Sequence, residues 1–130
     1  MPCLRSITAL LLAPLALLAA SDDDLFFESK VRPVLIKRCY DCHSTEKKTK
    51  GGLALDTRAG WQHGGDNGPA IVPGDLTKSL VIKAVRYLDK DFAMPPKSRL
   101  PADEVAILEE WVKRGAPDPR TDDAAKAAKP

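Results

Sequence analysis

The chain has 130 residues, 44% of them hydrophobic and 29% charged, with a formal net charge of +2. That length accommodates one small domain, and the composition excludes both a chain disordered throughout and a multi-span membrane protein; near-neutral charge gives no footing for nucleic-acid binding. Only three Phe, two Tyr and two Trp are present. Aromatic side chains dominate core energetics, so a core this poor in rings points to something other than side chains helping to fill it.

Residues 1–20 read as a secretory signal. Arg5 precedes an apolar run over residues 7–20, interrupted only by Thr8 and Pro14, and the small residues Ala19, Ala20 and Ser21 lead into Asp22-Asp23-Asp24. Cleavage is expected after Ala20 or after Ser21. The apolar run is shorter than the ~20 residues a membrane span needs, so no stable span is expected once the signal is removed. Loss of Arg5 leaves nineteen basic against eighteen acidic residues, with Cys39 and Cys42 as the only cysteines. The expected mature protein is exported, periplasmic or in an equivalent compartment, and nearly neutral.

Four helices are predicted in a domain spanning residues 22–118. The first covers residues 25–39, with Phe27, Val31, Val34 and Leu35 on one face and Asp24 or a neighbour as its cap. Pro33 lies inside it and implies a kink or a later start. A second, short helix follows Asp56 as N-cap, includes Trp61 and ends at Gly64-Gly65. The third runs from Leu76 or Ser79 to Leu88, with Leu80, Val81, Ala84, Val85 and Leu88 inward. The fourth begins at Pro101, carries the stripe Val105, Leu108, Trp111 and Val112, and ends at Gly115, with Pro117 preventing continuation. Phe27 and Trp111 are expected to pack where the first and last helices cross. No segment alternates as a strand pair. The loops over residues 44–55, 66–74 and 89–100 are long for so small a domain, and long ordered loops usually hold something. Residues 119–130 have no apolar face to bury and read as a disordered tail.

The chemistry is concentrated in Cys39-Tyr40-Asp41-Cys42-His43. Offsets of 0, 3 and 4 place two thiols and an imidazole on one side of a helical turn. This is the attachment signature of c-type haem: thioethers from Cys39 and Cys42 to the two vinyl groups, and His43 as the iron ligand. Export fits, because c-type haem is attached outside the cytoplasm. A disulfide, a thioredoxin-like redox pair and a zinc site are the alternatives. Neither of the first two explains the adjacent His, and zinc would need two more ligands where only His63 and carboxylates remain. For a second axial ligand the chain offers Met94, in Phe92-Ala93-Met94-Pro95-Pro96, or His63, in Trp61-Gln62-His63-Gly64-Gly65. A thioether on a proline-stiffened loop suits the role and His/Met ligation is common in cytochromes c, so Met94 is preferred; His63 reads as a surface histidine.

At these residues the chain resembles the small class I cytochromes c, and in detail the planctomycete-type cytochrome c domain. The resemblance rests on Phe26-Phe27-Glu28 with Val31-Arg32-Pro33, on Gly51-Gly52-Leu53-Ala54-Leu55-Asp56, and on residues 68–75 (Gly-Pro-Ala-Ile-Val-Pro-Gly-Asp). Ser79-Leu80, Met94-Pro95-Pro96 and the last helix with Leu108, Trp111 and Gly115-Ala116-Pro117 complete it. It implies an all-α fold of about four short helices and long loops around one covalently bound haem c. It also implies His43 and Met94 as axial ligands, and the Pro69 carbonyl as acceptor for the other ring N–H of His43, with Pro73 as the alternative. One departure is Pro101, where a Ser or Thr cap is common.

The function these features imply is single-electron transfer between redox partner proteins, with no enzymatic activity of the chain's own. Between Lys30 and Arg58 there are eight basic and three acidic residues, a docking surface for an acidic partner or simply a solvated Lys-rich loop. Two rival readings differ in what the haem is for. One is a haem enzyme or gas sensor with a displaceable distal ligand; the other is an interaction module that haem merely stabilises.

Overall fold

Ser21 starts the first helical segment, its hydroxyl accepting from the Asp24 backbone N–H at 3.1 Å. In this computed structural model, residues 13–14 and 19–121 are described. Most of the predicted signal, and the tail after residue 121, lie outside them. The cap is therefore Ser21, and Asp22, Asp23 and Asp24 fill the first turn, where acidic side chains meet the positive end of the helix dipole.

The helical path is continuous from α1 (Asp22–Phe26) through a π-helical turn (Phe27–Val31) into α2 (Arg32–Arg38). Pro33 lacks an N–H, and its ring would collide with the carbonyl four residues earlier in a straight α-helix. The wider turn just before it absorbs that conflict: Arg32 N–H reaches back five residues to the Phe27 carbonyl. The helix does not start late, and its irregularity is this π turn. Phe27, Val31, Val34 and Leu35 are buried, as their spacing predicts.

α3 (Arg58–His63) is capped by Thr57, whose hydroxyl accepts from Gly60 N–H at 2.9 Å, and not by Asp56. Asp56 is engaged one loop away, its Oδ2 accepting from the Thr45 backbone N–H at 2.9 Å and the Thr45 hydroxyl at 2.7 Å. Gly64 ends the helix at φ 79, a conformation that favours glycine.

α4 (Leu80–Val85) is shorter than predicted and follows Ser79. Leu88 is 70% exposed because Tyr87, at φ 58, turns the chain out of the helix first. Ile82, which the inward set omits, is fully buried. Ser79 is also fully buried: its hydroxyl accepts from Val72 N–H at 2.9 Å and donates to the Asp75 carbonyl at 2.7 Å, pinning the preceding loop to the start of α4.

α5 (Ala102–Lys113) buries Leu108, Trp111 and Val112. Its last turn is closed by Gly115 at φ 92. Phe27 and Trp111 meet with ring centroids 5.6 Å apart, and Trp61 stands edge-on to Trp111 at 5.9 Å. Three of the chain's few rings thus form one cluster that joins the first helix, α3 and α5. The described residues contain no strand, only the isolated bridges His43–Thr49 and Gly65–Gly68. The architecture is all-α and cytochrome c-like.

The packed chain also reaches past residue 118. The Arg120 side chain is 8% exposed and pairs with the fully buried Asp118 carboxylate at 2.7 Å. Composition missed this because the partners of Arg120 are distant in sequence: its guanidinium donates to the Tyr40 hydroxyl and the Leu55 carbonyl. Trp111→Ala should remove the centre of the ring cluster and lower the unfolding free energy by about 3–5 kcal/mol in chemical denaturation, the usual cost of deleting a buried Trp side chain.

Candidate functional site

α2 delivers the Cys39–His43 segment to the wall of a cavity of about 320 Å³. The helix ends through Cys39 N–H and Tyr40 N–H, both donating to the Leu35 carbonyl, and His43 N–H then donates to the Cys39 carbonyl at 2.9 Å, which closes the motif as a turn. Two bonds anchor the turn from outside. Lys50 N–H donates to the Cys42 carbonyl at 2.9 Å, and Leu55 N–H to the His43 carbonyl at 2.8 Å. The loop over residues 44–55 therefore leaves His43 and returns to it.

Cys39, Cys42 and His43 all line the cavity. Met94 lines it too, brought there by a bond from its own N–H to the Ala84 carbonyl in α4 at 3.1 Å. The Met94–Pro95 peptide bond is cis, where an extended chain is expected from the prolines, and the Tyr87 hydroxyl donates to the Pro95 carbonyl. All three long loops contribute walls, through Leu53 and Leu55, Gly68 and Ala70, and Phe92 and Leu100; α4 adds Leu80, Val81, Ala84 and Val85. α4 thus works on two faces, with Ile82 in the core and the other apolar residues toward the cavity.

His63 is exposed and does not line the cavity. Pro69 is exposed as well, and the buried Nδ1 of His43 has no hydrogen-bond partner here, neither the Pro69 nor the Pro73 carbonyl. The segment before Pro69 closes on itself instead. Gly65 N–H donates to the Gly68 carbonyl and Gly68 N–H to the Gly65 carbonyl, forming a tight turn with Gly68 at φ 94. Gly65 is needed for a close approach here, since a Cβ on it would lie 2.4 Å from the Gly51 carbonyl oxygen.

Electrostatics around the motif are more balanced than the basic stretch implies. Arg38 pairs with Glu104 of α5 at 2.7 Å, with Lys37 behind it at 3.8 Å; Arg32 pairs with Glu28 at 2.9 Å, and Lys47 with Asp41. The hydrogen bond it donates to Glu104 raises the Arg38 guanidinium above its ordinary pKa, and the one from Lys47 lowers the Asp41 carboxyl. Among the described residues Lys30, Lys48 and Lys50 have no carboxylate partner.

Cys39 and Cys42 are both free thiols. Among the described residues no group of three or more His, Cys, Asp or Glu side chains converges as a metal site, so the zinc arrangement has no counterpart. The donor set fits a haem instead. It offers two thiols for the vinyl groups, an imidazole with a buried unpartnered nitrogen, a soft thioether, and walls that are almost wholly apolar for the ring.

An all-α shell around an apolar cavity, with Cys-x-x-Cys-His on its wall, is the build of a small cytochrome c. Residues 39–98 match the family described as Planctomycete cytochrome C, which supports a planctomycete-type cytochrome c domain over that stretch. No curated protein and no solved structure gives a match. No helix among the described residues is long and apolar enough to cross a membrane.

The apolar walls push the Cys39 thiol up to about 12, burial being the main cause. The thiolate is the reactive form. Cys39 of the folded, haem-free chain should therefore react with iodoacetamide at pH 8 at least roughly a hundredfold more slowly than after unfolding in urea. Because the folded state holds this proton more tightly, that chain should also lose stability as pH rises above about 9, the ordinary thiol value. Mass spectrometry of timed alkylation checks the first, and urea midpoints against pH the second.

Proposed function

We propose that the protein is an exported monohaem c-type cytochrome that passes single electrons between redox partner proteins, and that it is not an enzyme. The observation that carries this reading is the convergence of Cys39, Cys42, His43 and Met94 on one apolar cavity. When bound, the haem supplies a one-electron Fe(III)/Fe(II) couple. Every other task falls to the chain.

Cys39 and Cys42 would hold the group covalently through thioethers, and His43 would bind the iron through an imidazole nitrogen. Met94 would be the other protein ligand, its soft sulfur favouring the ferrous state and raising the potential relative to two histidines. The apolar residues of α4 and the three loops exclude water from the ring, which also favours the less charged ferrous state. Export is supported by the sequence over residues 1–20 and by the haem chemistry of the motif. Lys48 and Lys50, which form no ion pair among the described residues, are the cations of this loop beside the cavity that would meet an acidic partner.

Met94→Ala should open the iron to carbon monoxide and lower the potential, whereas Met94→His should lower the potential while keeping the iron six-coordinate. His63→Ala should change neither. Axial ligands contribute to a span on the order of 0.8 V among haem proteins, so the shifts are large enough for routine redox titration. Ready carbon monoxide binding by the wild type would favour the sensor or enzyme reading. A potential that falls in His63→Ala would move the second ligand to His63.

A further inference from the structure

We infer that Arg120 is a positioning residue for the haem-attachment loop, acting on His43 through Tyr40 and Leu55. The inference rests on reading residues 39–43 as the haem-attachment segment. The Arg120 guanidinium is tied down on every side. Its Nε donates to Asp118 Oδ1 at 2.9 Å and its Nη2 to Asp118 Oδ2 at 2.7 Å, a fork matched to a carboxylate. Asp118 is itself fixed, since its Oδ2 also accepts from Trp61 Nε1 at 2.9 Å, and the guanidinium lies 4.9 Å from the centre of the Phe27 ring.

The remaining nitrogen, Nη1, faces the haem motif. It donates to the Tyr40 hydroxyl at 2.7 Å and to the Leu55 carbonyl at 2.9 Å. Tyr40 stands between the two cysteines, and Leu55 is the residue whose N–H donates to the His43 carbonyl. One nitrogen thus grips both the motif, at Tyr40, and the returning end of the loop that leaves His43, at Leu55. Trp111 Nε1 donates to the Pro117 carbonyl at 2.8 Å, so the strap carrying Asp118 and Arg120 is also fastened to α5. Buried ion pairs often add little net stability compared with apolar packing; what this one supplies is directional bonds that set where the loop sits. A loosened loop admits water around His43, and water favours the more charged ferric state, lowering the potential.

The test uses the full chain matured with haem and compares Arg120→Lys and Tyr40→Phe with Val112→Ala, a core substitution in α5 at a residue that does not line the cavity and makes no bond to Arg120. Arg120→Lys keeps the positive charge and removes only the fork geometry. It should lower the reduction potential and speed amide hydrogen exchange at Leu55 by at least about tenfold, the loss of one charge-assisted hydrogen bond. Amides in α5 should be affected no more than in Val112→Ala. Tyr40→Phe deletes a single hydroxyl and should shift both readouts the same way by less; it carries the test alone if the Arg120 variant does not accumulate. An unchanged potential, or exchange rising equally at Leu55 and throughout α5 as in Val112→Ala, would overturn the positioning role. Absence of covalent haem in the wild type would instead sink the cytochrome reading, while selective exchange at Leu55 would still report the grip of Arg120 on the loop.

Discussion

The fold depends on holding Cys39 to His43 against an apolar cavity in a chain with few large side chains to spare. The turn is made from its own backbone bonds, but its position is fixed by two returns, Lys50 N–H to the Cys42 carbonyl and Leu55 N–H to the His43 carbonyl. Those bonds need the loop over residues 44–55 to come back to the point it left. The aromatic cluster of Phe27, Trp61 and Trp111 is tied to the strap beyond α5, Trp61 to Asp118 and Trp111 to the Pro117 carbonyl, and Arg120 on that strap bonds to the loop at the Leu55 carbonyl. Three of the seven rings form this cluster, while Phe92 joins the aliphatic residues that line the cavity.

Seen this way, the small helices divide their labour by face. α2 buries Val34 and Leu35 and ends where the first cysteine begins. α4 places Ile82 in the core while Leu80, Val81, Ala84 and Val85 line the cavity, and its Ala84 carbonyl fixes the Met94 backbone. α5 buries Trp111 at the crossing and, through Glu104, neutralises Arg38 next to the motif. Each helix is short, and burial of an amphipathic face, not intrinsic propensity, keeps such helices formed. An apolar cavity beside a cytochrome c motif also agrees with the family match over residues 39–98, a haem-based electron-transfer class.

Local patterns in the sequence were enough for the helices and the motif. The period of Phe27, Val31, Val34 and Leu35, the Pro101-to-Gly115 frame of α5 and the Cys-x-x-Cys-His spacing are all determined within a few residues. What was not legible depended on partners far along the chain. Thr57, not Asp56, caps α3 because Asp56 is claimed by Thr45 across a loop. Leu88 leaves the core because Tyr87 adopts a left-handed conformation that no periodicity reveals. His43 Nδ1 has no hydrogen-bond partner, from Pro69 or elsewhere, while Gly65 and Gly68 bond to each other. Arg120 sits in a stretch with no apolar face to bury, and only its contacts with Tyr40, Leu55 and Asp118 show that the domain includes it. A charged residue beyond the last helix carries no local signal that it will be buried.

The most direct measurement is the intact mass of the protein purified from an export compartment able to attach haem, recorded after denaturation and solvent extraction of loose cofactor. The expected mass is that of the cleaved chain plus one haem, and that of the cleaved chain alone when Cys39 and Cys42 are both replaced by Ala. A wild-type mass without haem, or one lower by the two hydrogens lost in forming a Cys39–Cys42 disulfide, would contradict the assignment of this segment as a haem-attachment site.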